Sequence, residues 1–214
     1  MSDARTEILG RIREALADGP EPDPVERDYR RVSEADRAAV VAQLEDRLVD
    51  YRAGVHRETL QTVAARVAAL LGEGRYAVPA GLDPAWLPED TDGRRRVTEP
   101  ATGEGAALAV AELDALAGVV TASTVSCSET GTILLTGRPD EGRRALSLVP
   151  DHHVCIVPLD TVVELFPEAL ARVEPTAVIT MISGPSATSD IELERVEGVH
   201  GPRTLDVILL DRGR

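Results

Sequence analysis

From residue 106 onward the chain alternates short apolar runs with glycine loops and helical segments. That alternation limits its possible folds more than any other feature. The runs fall at 119–122, 132–136, 153–157, 177–182 and 205–210. Most are continuous rather than alternating, as expected for strands covered on both faces. Between residues 157 and 177 a stretch with Val162, Val163, Phe166 and Leu170 reads as helix, interrupted at Pro167. Another helix is expected to begin over 190–196. Strands interleaved with helices predict an α/β domain with a largely parallel sheet.

The first third reads as helices. Ile8, Ile12 and Leu16 recur at spacing four, the stripe of a short amphipathic helix. Pro20, Pro22 and Pro24 then enforce an extended linker. Ser33 is the expected cap of a second helix, whose stripe is Val41, Leu44, Leu48 and Tyr51. A third carries Leu60, Val63, Val67 and Leu70 and ends at Gly72. A strand is expected over 75–78, and 81–105 reads as surface loop, with Arg94-Arg95-Arg96 a solvated part of it. The expected division is an N-terminal helix and proline-rich linker over 1–32 and one α/β domain over 33–214.

Charge and composition exclude several classes. Net charge is −14, so a phosphate backbone would be repelled and nucleic acid is not an expected partner. All 23 basic residues are Arg, so a Schiff-base or P-loop lysine is ruled out. No run approaches the roughly 20 apolar residues of a membrane span. Met1 to Arg5 opens a polar helix rather than a signal peptide, and a cytoplasmic location is expected. Two cysteines, Cys127 and Cys155, cannot supply the four thiolates of an iron–sulfur cluster. With five aromatic residues in all, Leu, Val and Ala must fill the core.

Four segments could carry chemistry. Residues 183–192 follow a predicted strand and are expected to open a helix, where free N–H groups favour an anion. Ser183, Ser186 and Thr188 add hydroxyls there, and Asp190 could orient a hydroxyl or amine. Ser189 with Glu192 equally fits a plain capping box. In Ser128-Glu129-Thr130-Gly131-Thr132, Glu129 stands as a candidate nucleophile or general base. The alternative is a polar turn in which Gly131 supplies positive φ. In Asp151-His152-His153, adjacent strand residues point to opposite faces, which argues against a shared metal. His200 and Arg203, around the turn at Gly201-Pro202, could face a pocket.

Taken in order, Glu129-Thr130-Gly131-Thr132, Leu146 to His153, Ile182 to Glu192 and Gly198 to Pro202 resemble the LUD-domain family. The resemblance covers residues 106–214 well; the first hundred match in layout. Ala187 stands where a basic residue is common in the family, and Ser189 where Ala is common. The resemblance implies a three-layer α/β/α fold of the NagB/RpiA/CoA-transferase type. It also implies membership of a bacterial system oxidising L-lactate to pyruvate, with iron–sulfur protein components as partners. The step performed and any cofactor stay open. Three readings follow: a non-redox accessory component binding a small carboxylate or other anion, an acyl-CoA- or phosphate-handling transferase or ligase, or a structural partner. A homo-oligomer is possible on each. The expected site groups Glu129 and His200 as catalytic residues. Thr130, Gly131, Thr132, Ser183, Gly184, Pro185, Ser186, Thr188, Asp190 and Gly201 would bind the ligand.

Overall fold

The structure, a computed structural model, describes residues 3–19, 24–101, 103–185, 187–189, 195–197 and 201–213. It comprises two compact units, Met1–Arg30 and Arg31–Arg214. The first holds α1 (Ala4–Ala15), whose N-terminal Asp3 carboxylate accepts the Arg5 N–H at 3.2 Å. Glu7 and Arg11 pair one turn apart at 2.7 Å. No residue of α1 is buried, and Ile8, Ile12 and Leu16 are exposed.

The second unit is built on a six-stranded, all-parallel sheet. In chain order its strands are β1 (Gly54–Thr59), β2 (Gly74–Pro79), β3 (Arg94–Glu99), β4 (Gly118–Thr121), β7 (His152–Pro158) and β12 (Thr204–Asp211). Across the sheet they run β1-β12-β7-β4-β2-β3. The α/β class read from the apolar runs is therefore correct. Helix α2 (Arg37–Asp50) covers one face, packing Val40, Val41, Leu44 and Leu48 on Cys155, Val157, Val207 and Leu209. Helix α3 (Val63–Leu71) covers the other through Val63, Val67 and Leu71, against Val120, Val154, Ile156 and Ile208. Each such buried aliphatic side chain contributes about 1.5–3 kcal/mol. Short α4 (Val110–Asp114) adds Leu113 against Ala77 and Val119.

A second sheet of four strands lies on the α2 side, in the order β8-β5-β6-β9. It comprises β5 (Val125–Cys127), β6 (Thr132–Leu135), β8 (Val162–Val163) and β9 (Thr180–Ile182). Strands β5–β6 and β6–β9 pair antiparallel, and β5–β8 parallel. Ile133 and Leu135 join the core beneath α2. Val125, Cys127 and Leu134 pack toward α5 (Phe166–Leu170). A separate pair, β10 (Ala187–Ser189) and β11 (Arg195–Glu197), is antiparallel.

Several expectations change. Residues 81–105 are not all loop: a 3-10 turn over Pro84–Trp86 precedes β3, which takes in all three arginines. As an edge strand, β3 tolerates charge that an interior strand would not. Strand β1 went unread for the same reason, since Gly-Val-His-Arg-Glu-Thr is mostly polar and lies at the opposite edge. Leu60 is exposed in the turn between β1 and α3, and Tyr51 is exposed at the end of α2. Asp36 rather than Ser33 caps α2, accepting the Ala38 N–H at 2.9 Å. Ser33 bonds instead to Glu164 through its hydroxyl and to Glu168 through its N–H at 3.1 Å. Val162 and Val163 form β8, so Pro167 occupies the first turn of a short helix rather than interrupting a long one. Of the run at 177–182, only Thr180–Ile182 pairs as strand. Ser189 and Arg195 are partners in the β10–β11 pair, so the helix expected over 190–196 is not what Arg195 and Val196 form.

Candidate functional site

The Glu129-Thr130-Gly131 segment is the turn of the β5–β6 hairpin, closed by the Gly131 N–H on the Ser128 carbonyl at 3.3 Å. It is pressed against α2. Ser128 Oγ donates to Gln43 Oε1 at 2.7 Å, and Gly131 has a φ of 61°. A Cβ on Gly131 would lie 2.8 Å from Arg47 Cβ and 3.1 Å from Tyr51 Cε2. Glycine is therefore required twice over, by conformation and by space. The half-buried Glu129 donates its backbone N–H to the Glu164 carbonyl at 3.1 Å.

Strand β9 delivers Ser183-Gly184-Pro185 to the same place. Gly184, with φ 94°, sits on Tyr51 so closely that a Cβ would lie 2.7 Å from Tyr51 Cβ and 2.9 Å from its carbonyl oxygen. Tyr51 thus lies between the two glycine turns. Thr130 Oγ1 donates to Thr132 Oγ1 at 2.8 Å, and Thr132 Oγ1 shares a hydrogen bond with Ser183 Oγ at 2.9 Å. Ser183 is exposed. The structure therefore brings together Thr130, Gly131, Thr132, Ser183 and Gly184 from the expected site, with Tyr51 added. Thr188 lies in β10 opposite Val196. Gly201 leads into β12. Ser186, Asp190 and His200 lie outside the described residues.

These turns do not lie at the carboxyl ends of the parallel strands. The two glycine turns belong to the second sheet, and Gly201 precedes the amino end of β12. The carboxyl edge of the large sheet, where open α/β sheets usually bind ligands, carries two other cavities. One, of about 230 Å³, lies where β2 and β3 end, beside the point at which strand order reverses. Its buried Glu99 receives hydrogen bonds from Arg143 Nε and, at 2.9 Å, from the Leu108 N–H. The other, larger cavity lies across the ends of β7 and β12.

The histidines divide as strand geometry requires. His152 and His153 face opposite sides of β7. His153, 1% exposed, meets Thr121 Oγ1 at 2.8 Å, and burial drives its imidazole down to about 3. His152 instead joins a group that sequence spacing does not reveal. The Asp206 carboxylate bridges His56 Nε2 at 2.8 Å and His152 Nε2 at 2.7 Å, across three neighbouring strands. Burial acts to raise the Asp206 carboxyl, but the bonds from both imidazoles outweigh it and hold the group below the usual carboxylate range. Gly54 makes room, since a Cβ there would fall 2.0 Å from Asp206 Oδ1. Among the described residues no group of three or more His, Cys, Asp or Glu is placed to hold a metal ion. Both cysteines are buried, and burial pushes the Cys155 thiol up to about 12. No described helix is long and apolar enough to cross a membrane.

Known proteins share this architecture. The LUD domain family model matches residues 3–210. Lactate utilization protein C of Deinococcus radiodurans is 42% identical over 214 residues, spanning 98% of this chain and 96% of its own. A protein of the same name from Macrococcus caseolyticus is 37% identical over 43% of each chain. The crystal structure of a DUF162 family protein from Deinococcus radiodurans superposes with a TM-score of 0.67 at 37% identity, covering 82% of this chain and 99% of that one. With a parallel α/β sheet, the Glu-Thr-Gly-Thr hairpin turn and a family match over nearly its whole length, this chain belongs to the LUD-domain family.

Proposed function

We propose that the chain serves lactate utilisation as a non-redox component that binds a small 2-hydroxy carboxylate where the Glu129–Thr132 turn meets Ser183–Pro185. The role in lactate utilisation is supported by the names of its relatives. The hydroxyl chain from Thr130 through Thr132 to Ser183 carries the ligand reading. Thr130 donates inward along this chain. When Thr132 in turn donates to Ser183, the Ser183 proton is left for an outside acceptor, and a carboxylate is a strong one. Successive hydroxyl bonds polarise one another and sharpen that donor. Glu129 supplies the complementary group, a carboxylate that accepts from a substrate hydroxyl. His200 is assigned to the same surface on sequence grounds. The non-redox assignment rests on the two cysteines, which are too few for a cluster.

The test separates folding from function. A strain lacking this protein is complemented with wild type, Glu129→Gln, Ser183→Ala or His200→Ala, and growth on L-lactate is measured beside abundance and melting temperature. Glu129→Gln is expected to fold normally and to fail on lactate. Full complementation by well-folded Glu129→Gln and His200→Ala together would overturn the assignment.

A further inference from the structure

Arg52 directly follows Tyr51. Among the described residues it is the one non-glycine with positive φ, at 66°. It closes α2: the Ala53 N–H donates to the Leu48 carbonyl at 3.0 Å, and the Arg52 N–H to the Val49 carbonyl at 2.8 Å. This pair of bonds ends a helix through a left-handed residue. Glycine or asparagine is usual there, because a Cβ in that conformation crowds the following carbonyl. Ala53 and Leu48 are both buried in the core beneath α2, which fixes where the helix ends. The motif requires the conformation but not the arginine.

The arginine has no local contact that offsets the strain. Its side chain is exposed, and among the described residues it makes no hydrogen bond and no ion pair. Arg47, beside Gly131, is placed differently. It lies 3.8 Å from each of Asp46 and Asp50, and as the basic residue of the last turn it already complements the helix dipole. A non-glycine side chain kept at positive φ without a structural return points to function.

Position ties Arg52 to the surface around Ser183. A Cβ on Gly184 would lie 2.9 Å from the Tyr51 carbonyl oxygen and 3.5 Å from the carbonyl carbon, two atoms of the peptide that joins Tyr51 to Arg52. Ser183 directly precedes Gly184 and carries the last hydroxyl of the Thr130–Thr132–Ser183 chain. A hydroxyl alone holds a carboxylate weakly on a chain of net charge −14, with Glu129 on the same surface. A guanidinium supplies both the opposite charge and a planar fork that fits a carboxylate.

We propose that Arg52 receives the carboxylate of the ligand beside Ser183, and that the site is thereby restricted to monocarboxylates. This rests on the carboxylate reading of the Ser183 surface and names the cation that reading lacks. A second carboxylate on the ligand would meet Glu129 and an Arg47 already shared by Asp46 and Asp50.

Calorimetric titration of the full chain with L-lactate, L-malate and the neutral lactamide tests this, beside melting temperatures. L-Lactate is expected to bind saturably, and the other two about tenfold more weakly or less. Arg52→Gly relieves the strain, so it should melt at or above wild type while binding L-lactate about tenfold more weakly. Arg52→Gln removes the charge without freeing the backbone and should weaken binding equally. The exposed Arg95→Gln on β3 is the control and should bind like wild type. Wild-type affinity for L-lactate in both Arg52 variants would overturn the proposal and leave the carboxylate reading standing, whereas no L-lactate binding by the wild type would overturn both. Malate binding as tight as lactate would overturn the restriction to monocarboxylates. Melting of Arg52→Gly below wild type would show that the arginine supports the fold, and would overturn its assignment to the ligand.

Discussion

Lowering the pH from 6.5 to 4.5 should destabilise this fold through one side chain, His153. Its imidazole is 1% exposed between β4 and the α2 face, bonded to Thr121 Oγ1, and held by burial at about 3. In the unfolded chain the same group titrates near 6.5. Between those values the unfolded state takes up a proton that the folded state refuses, so stability falls as pH falls. The slope approaches about 1.4 kcal/mol per pH unit, and over this window the loss is about 2 kcal/mol. For a chain of this size that lowers the melting temperature by about 4–8 °C. The native carboxylates held below their ordinary range, Asp151, Asp206, Glu58 and Glu168, lose their contribution only nearer pH 4 and below. Urea unfolding of wild type and His153→Gln at both pH values isolates the effect, because glutamine keeps a hydrogen-bonding partner for Thr121 but does not titrate. The variant is expected to be less stable at pH 6.5 and to lose about 2 kcal/mol less on acidification. Parallel losses in the two proteins would refute the assignment of the pH dependence to His153.

Three further outcomes are expected. Asp206→Asn removes a carboxylate held below its ordinary range by two imidazoles, so its deficit of about 1–3 kcal/mol is full above pH 4 and shrinks as pH falls through the native Asp206 value; melting curves at pH 7 and pH 3.5 check this. Gly131→Ala meets both a φ of 61° and Arg47 Cβ at 2.8 Å, whereas Gly103→Ala meets positive φ in open space, so chemical denaturation should show the larger loss at Gly131. A chain beginning at Arg31 should keep a single cooperative unfolding transition by circular dichroism, since residues 31–214 form a compact unit of their own.

The large sheet was readable wherever strands are covered on both faces. Val119, Val154 to Val157 and Val207 to Leu210 are apolar because helices lie above and below them, and a continuous apolar run is visible in one dimension. Strands β1 and β3 were not readable, because an edge strand is free to carry arginine, glutamate and threonine. The second sheet was obscured for another reason. Its β6–β9 pairing joins residues nearly 50 positions apart, as Ile133 to Ile182, and nothing local in either segment states the partner. Gly131 and Gly184 were legible as turns but not as opposite walls around Tyr51, which reads as one more position on the stripe of α2. Asp206 escaped notice because its histidine partners lie 54 and 150 residues away along the chain. Parallel register alone brings them together.

Helix α2 reaches from one of these regions to the other. Arg37 in its first turn lines the larger cavity at the carboxyl edge, and Tyr51 just past its last turn is gripped by Gly131 and Gly184. Fourteen helical residues make a rod about 21 Å long. Four fully or nearly buried side chains lock it to the sheet, so it resists bending and its two ends keep a fixed separation. Tyr51 therefore stands where the sheet, acting through α2, sets it, and the turns at Gly131 and Gly184 close on a fixed post.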